Sequence, residues 1–275
     1  GYGPAFWDYG YPDIYAGIFA PYGYDDLMAY GGYLPGGGGK GGRGSFASAN
    51  PGDRLSLAQM CGDDSREIAG LPIDAIQKAL QPDDAQRAAL DDLANASVKA
   101  AQDIRAACPT EAALTAPRRI AVMQQRIEAM IAGVKLVQPP LDKFYGLLTD
   151  EQKARFNALA VRQRPARTER TASSAGPACG ASQAGLTDWP SEAIEKSVRP
   201  DDDQRKSLNE LRNAATSAAD MLKEACLPEE ALPPPARLAA VGKRLDTMLQ
   251  AVKTVRAALD NFYGSLNDEQ KASFD

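Results

Sequence analysis

The chain has 275 residues, 44% of them hydrophobic, and a formal net charge of only −5. That is enough for two small domains with real cores, and it lacks the dominant basic face a nucleic-acid binder needs. It holds no histidine, so the commonest general base and the commonest transition-metal ligand are both missing. No apolar run approaches the ~20 residues of a membrane-spanning helix, and no transmembrane segment is expected.

Residues 1–60 are low in complexity. Residues 1–46 carry eight of the ten tyrosines, with Phe6, Trp7, Phe19 and Phe46, four aspartates (Asp8, Asp13, Asp25, Asp26) and a glycine-rich run at 36–44. Glycine-rich chain does not offset its own ordering entropy, so an irregular Tyr/Gly-rich arm is expected in the isolated protein. Tyr and Trp supply broad amphipathic contact at low rotamer cost. The arm is therefore expected to order on a partner protein or on the envelope surface, through Phe6, Trp7, Tyr9, Tyr11, Tyr15, Phe19, Tyr22 and Tyr24. Base stacking is not expected, because the acidic arm repels phosphate. The glycines at 36–39 followed by Lys40 lack P-loop spacing and a flanking strand. Gly1 follows neither an initiator Met nor a basic-then-apolar leader, as expected if a leader has been removed or lies outside this sequence.

From residue 61 onward the sequence matches itself without a gap at an offset of 118. Cys61 falls on Cys179, Cys108 on Cys226, Pro82-Asp83-Asp84 on Pro200-Asp201-Asp202, and Phe144-Tyr145-Gly146 on Phe262-Tyr263-Gly264. So long a period is a duplicated domain rather than a solenoid of 20–50-residue units. The expected divisions are residues 61–160 (copy one), a basic Ser/Pro-rich linker at 161–178, and residues 179–275 (copy two). Asp275 aligns with Asn157, inside the last helix of the repeat, so the natural chain is expected to continue.

Within copy one a short helix is predicted near 72–80, opening at Pro72. Asp83-Asp84-Ala85-Gln86 then starts a second helix. Its stripe is Leu90, Leu93, Ser97, Ala100, Ile104 and Ala107. The third helix is the longest. Ile120, Met123, Ile127, Met130, Val134, Val137, Leu141, Phe144 and Leu148 alternate three and four apart and share one stripe. That seam predicts an antiparallel hairpin with the preceding helix. Pro139-Pro140 predicts a kink or break. Thr149-Asp150-Glu151-Gln152 has the form of a capping box opening a fourth helix. Copy two repeats these features with Asp201 and Gln204 for Asp83 and Gln86, Asn267 and Gln270 for Thr149 and Gln152, and Ala257-Ala258 for the two prolines. The fold class that follows is all-α: two tandem antiparallel helical-hairpin or bundle units behind an irregular arm.

Cys61 and Cys108 are 47 apart, as are Cys179 and Cys226. Four cysteines allow three pairings. Duplication favours one disulfide inside each copy, since an ancestral single unit would have carried one bond. Closing such a loop stabilises by roughly 3–4 kcal/mol in the chain-entropy model. Buried free thiols are the other reading. A zinc site fits worse, without CxxC spacing or histidine.

Leu148-Thr149-Asp150-Glu151-Gln152 matches the LTxxQ motif of the Spy/CpxP-like periplasmic proteins. Copy two carries Leu266-Asn267-Asp268-Glu269-Gln270, and Leu80-Gln81-Pro82-Asp83-Asp84-Ala85-Gln86 looks like a degraded version. The resemblance covers the two copies and not residues 1–60. It implies a periplasmic or secreted, ATP-independent chaperone or envelope-stress protein with a small helical cradle for unfolded clients. The tandem arrangement, the expected disulfides and the aromatic arm depart from that pattern, and two fused copies would stand in for a homodimer. Metal-sensing relatives match less well, because histidine is absent.

An enzyme is not expected, nor is any cofactor or bound metal. The paired acids Asp83/Asp84 and Asp150/Glu151 sit at helix starts, where capping accounts for them. Met123, Met130 and Met248 lie on the core stripe, where packing accounts for them. Two functions remain. One is client binding, as the resemblance implies. The other is a structural or accessory subunit of an envelope or extracellular assembly, anchored by the arm.

Overall fold

A computed structural model describes residues 73–107, 115–162, 191–224 and 232–275. The arm, all four cysteines with their expected pairing, and residues 163–190 lie outside the described residues. Every regular element among the described residues is a helix, in agreement with the all-α expectation.

Each copy is built in the same order. A short helix (α1, Ile73–Leu80; α5, Ser191–Val198) precedes a helix of 23 residues (α2, Asp84–Ala106; α6, Asp202–Glu224). Then come a helix of 32 residues (α3, Ala116–Leu147; α7, Pro234–Ser265) and a closing helix (α4, Asp150–Arg162; α8, Asp268–Phe274). The short helix buries one side: Ile76 and Leu80 in α1, Ile194 and Val198 in α5. It stops at a residue in the left-handed region, Gln81 (φ 47°) and Arg199 (φ 50°), each followed by proline. Neither is glycine, so the turn carries strain that the rest of the unit holds in place.

α2 and α3 form the predicted antiparallel hairpin, as do α6 and α7. Lys143 Nζ meets Asp92 Oδ2 at 3.1 Å, and the Gln86 side chain donates to the Leu147 carbonyl. The predicted stripe faces inward. Ile120, Ile127, Met130, Leu141, Phe144 and Leu148 are buried in copy one, and Leu245, Met248, Val252, Val255, Leu259, Phe262 and Leu266 in copy two.

The expected break at Pro139-Pro140 is not there. α3 runs unbroken through both prolines and is as long as α7, which has Ala257-Ala258 instead. An interior proline costs about 3 kcal/mol, through a lost amide donor and a clash with the preceding turn. The helix is pinned on both sides of the defect. Met130 and Ile131 are buried upstream, and Leu141, Phe144 and Leu148 downstream. Each large apolar side chain fully buried is worth about 1.5–3 kcal/mol, so packing outweighs the two missing bonds. Pro139 and Lys135, one turn apart, are exposed, so the Lys135 carbonyl that lost its donor lies on the solvent side.

The two copies pack on each other through α3 and α7. Along this contact Gln124 meets Arg256 Nη1 (2.9 Å), Val134 lies against Gly242, and Gln138 donates to the Pro235 carbonyl (3.2 Å). One set of numbers falls as the other rises, so the helices are antiparallel. The register centres near Met130 and Met248, the same position in the two copies and both buried in one shared core. The duplication has therefore folded as a pseudo-dimer about a local two-fold axis. The main contacts run in series, α2 on α3, α3 on α7, α7 on α6. Four long helices stand side by side, and α3 and α7 are covered on their flanks.

Two stability changes follow. Replacing Gln81 or Arg199 with glycine relieves about 1–2 kcal/mol of left-handed strain against about 0.5–1 kcal/mol of added chain freedom, so each change should raise the thermal midpoint modestly. A fall would show the turn to be unstrained. At the crossing, a Cβ on Gly242 would stand 3.1 Å from Val134 Cγ1. Gly242→Leu should cost about 1–3 kcal/mol by overpacking although leucine is the better helix former; a gain in denaturant midpoint would contradict that close approach.

Candidate functional site

At one end of each copy the two predicted capping boxes face each other. In copy one, Gln86 N–H donates to Asp83 Oδ1 (2.8 Å) and Asp83 N–H to Gln86 Oε1 (3.1 Å). Gln152 N–H donates to Thr149 Oγ1 (3.2 Å) and Thr149 N–H to Gln152 Oε1 (3.0 Å). Both are capping boxes, with α2 and α4 as their helices. The glutamine side chains then bond each other. Gln86 Nε2 donates to Gln152 Oε1 (2.8 Å), and Gln152 Nε2 returns a bond to Gln86 Oε1 (3.0 Å). Their remaining donors reach the carbonyls of Leu147 (2.8 Å) and Leu80 (3.0 Å).

A primary amide has two donors and two acceptor sites. Both glutamines use all four. One clasp thus ties the starts of α2 and α4 to the ends of α1 and α3. Glutamate would complete a capping box equally well, but it has no N–H for the carbonyls and would set two carboxylates face to face. That is the physical reason for glutamine here. Copy two repeats the clasp with Gln204 and Gln270, joined at 2.9 and 2.8 Å, and the carbonyls of Ser265 and Val198. Asp201 and Asn267 are its caps. Gln86 and Gln204 are nearly buried, so unmade bonds there would be costly.

Aromatic packing closes the same end. The Phe144 and Phe156 rings meet edge to face at 5.6 Å, and Phe262 and Phe274 at 5.4 Å. Lys153 lies over Tyr145 at 5.7 Å and Lys271 over Tyr263 at 5.6 Å. The copies differ at one point. Tyr145 donates to Asn157, whereas Tyr263 donates to Asp275. Burial first, then the bond to Asp275, push the Tyr263 phenol up to about 12. The other Asp275 oxygen accepts from the Ala116 N–H at 2.8 Å, the first amide of α3 in the other copy. Burial lowers the nearby Arg119 guanidinium, with Asp275 opposing. At the position equivalent to Ala116, α7 has Pro234, which has no N–H to cap, and the aspartate's counterpart is asparagine.

The predicted capping residues Thr149, Gln152, Asn267, Gln270, Asp83, Gln86, Asp201 and Gln204 are thus brought together four by four. The structure gives them a job of holding the fold. The neighbouring acids are occupied locally: Glu151 pairs with Arg155, Asp150 with Lys153, Asp202 with Arg205 and Asp203 with Lys206. The eight arm aromatics and Cys61, Cys108, Cys179 and Cys226 lie outside the described residues.

The burial of α3 beyond the predicted seam was not singled out from the sequence. On α3, Arg118, Gln125, Glu128, Lys135 and Asp142 form an exposed polar stripe. Met123, Arg126, Val134 and Val137, on the opposite side of the helix, are only half-buried. Val122, Ile131 and Gly133 are buried though they lie off the predicted seam. The available signal was the spacing of apolar or small residues at 122, 129, 133 and 136, a second line along one helix.

The sequence profile of the LTXXQ motif family matches residues 68–160 and again 186–275. No curated protein and no solved structure matches the chain.

Removing one clasp glutamine, Gln86→Ala or Gln152→Ala, should cost about 2–3 kcal/mol, a lost cap plus unsatisfied polar groups. The double variant should cost clearly less than the sum of the two, with a coupling of about 1 kcal/mol or more, because the second removal abolishes groups the first left unpaired. Strict additivity in a double-mutant cycle by urea unfolding would argue that the glutamines do not act as a pair.

Proposed function

Because this chain belongs to the LTXXQ motif family, an envelope-associated, Spy/CpxP-like family, we propose that it is a periplasmic, ATP-independent chaperone-like or envelope-stress protein that binds unfolded or partner proteins. The observation that carries the reading is the layer of four long helices whose central pair keeps apolar side chains half-buried rather than sealed. Met123, Val134 and Val137 of α3 and Leu249 of α7 are partly buried at the margins of the two cores they pack against. Arg126 and its copy-two counterpart Arg244 lie on the same central pair, half-buried. Apolar contact next to positive charge suits weak, reversible capture of unfolded chain.

Chemistry on a small substrate is not proposed. Of the acids weighed from the sequence, Asp83 caps α2, and Asp150 and Glu151 pair with Lys153 and Arg155. No helix among the described residues is long and apolar enough to cross a membrane.

The full chain in several-fold excess should suppress aggregation of a chemically denatured model protein without ATP, followed by light scattering. A variant with both clasps removed should lose the effect along with its helical signal. No suppression by the intact chain would sink the reading. Co-purification with one stoichiometric partner, lost on deleting residues 1–46, would instead favour an accessory subunit anchored through the arm.

A further inference from the structure

The buried cores of this protein do not follow its two copies, because α3 is shared between them. Its first part, with Ile120, Ile127, Met130 and Ile131, lies in one core with α5, α6, α7 and α8 of copy two. Its last part, with Leu141, Phe144 and Leu148, lies in a second, smaller core with Leu80, Leu90 and Phe156 of copy one. The cores separate between Val134, which packs on the first, and Val137, which packs on the second. The prolines weaken the helix over the same stretch. Pro139 and Pro140 take the amide donors away from the carbonyls of Lys135 and Leu136. α7 has no such division. Its stripe from Leu245 to Leu266 lies in one core, and Ala257-Ala258 keep both donors.

We infer that the clasp end of copy one, formed by α1, α4, the start of α2 and the last turns of α3, is a hinged head. It swings against α7 about Pro139-Pro140, while the corresponding end of copy two is fixed. The inference goes beyond the functional reading and does not rest on it.

Three observations support it. First, the long helix of the opposite copy grips the two ends unequally. At the copy-two end, Ile120 of α3 is fully buried, the Ala116 N–H donates to Asp275, and Arg256 donates to Gln124. At the copy-one end, the equivalent of Ile120 is Leu238 of α7, which is only half-buried on the smaller core, and the equivalent of Ala116 is Pro234, which has no amide. Second, the polar tie at the copy-one end is incompletely satisfied. Gln138 Nε2 donates to Asp142 (2.7 Å) and to the Pro235 carbonyl (3.2 Å), but Gln138 Oε1 is buried with no hydrogen-bond partner among the described residues. A buried acceptor left unpaired is costly, so closure of the head on α7 is held at a disadvantage. Third, α2 does not splint the joint. Gln86 and Asp92 of α2 meet Leu147 and Lys143 of α3, which sets Ser97 and Ala100 opposite the stretch from Gly133 to Gln138. Both are small, and among the described residues Ala100 belongs to neither core, whereas its counterpart Ala218 lies in the larger one. Swinging the head away uncovers Leu238 of α7, at this end only.

A kink of about 20° moves a group about 12 Å beyond it, the length of α3 from Pro140 to Leu147, by about 4 Å. Spin labels on noncanonical amino acids, which leave the cysteines untouched, resolve such a shift in the full chain. One pair, at Glu151 and Lys243, links the copy-one head to α7. The equivalent pair, at Glu269 and Gln125, links the copy-two end to α3. All four positions are exposed. Double electron–electron resonance should give a distance distribution about twofold wider for the first pair than for the second, as a swing about a proline kink requires. Pro139→Ala with Pro140→Ala restores the copy-two residues and favours the helix. It should narrow the first pair to the width of the second and leave the second unchanged. Equal widths in the two pairs, or a first pair as wide with alanines as with prolines, would each overturn the inference. Neither readout involves a client, so failure here leaves client binding standing, and failure of aggregation suppression leaves the hinge standing.

Discussion

The structure depends on a buried pair of side-chain amides used twice. In each copy two glutamines open two different helices, and each spends its oxygen on its own helix start and on its partner. Their nitrogens bind the partner and the carbonyl end of a third and a fourth helix. A helix terminus leaves polar groups that must find partners if it is buried. Here four termini meet in one place and satisfy each other through two side chains. The strained turn at Gln81 and Arg199 belongs to the same arrangement. It ends the short helix abruptly, immediately after the carbonyl of Leu80 or Val198 that the clasp engages. A fully satisfied polar network of this kind also fixes register, because any slip would leave buried amides unpaired.

Above the clasps the long helices are held mainly by apolar packing, with polar ties such as Lys143–Asp92 and Arg256–Gln124 beside it, and the duplication uses them twice. One side of α3 packs on its own hairpin partner, and another on α7 of the second copy. The antiparallel register places equivalent positions about a common centre at Met130 and Met248. The two-fold symmetry is broken where the chemistry of the helix start differs. Ala116 has an amide to satisfy, and Asp275 reaches it from the other copy. Pro234 has none, and the corresponding residue is Asn157. A carboxylate near a helix N-terminus also gains from the helix dipole, so one end of the pseudo-dimer carries a tie that the other lacks.

This design bears on the proposed function. A chaperone-like surface must be partly apolar yet not collapse on itself or on another copy. Placing the long helices side by side flanks the central pair on both edges, with its partly buried methionine and valines at the margins of the cores. Fusing two copies in one chain makes the pairing independent of protein concentration, unlike a homodimer.

Much of this was legible in the sequence. The exact 118-residue offset established the duplication. The alternating three-and-four spacing from Ile120 to Leu148 gave the long helix and its buried seam, because helical periodicity is a local property of the chain. The caps at Asp83, Thr149, Asp201 and Asn267 were readable for the same reason, since a cap bonds only three residues ahead. What only the tertiary structure decided is non-local. The bonds between Gln86 and Gln152, and between Gln204 and Gln270, join residues 66 apart. The packing of α3 on α7 shares its core with the main seam, Ile127, Met130 and Ile131 being buried with Leu245 and Met248, and periodicity along one helix does not say which other helix lies opposite. Pro139-Pro140 marks the boundary between the two kinds of information. Local propensity says that a helix should break there, and the burial of Leu141, Phe144 and Leu148 on its far side overrides it.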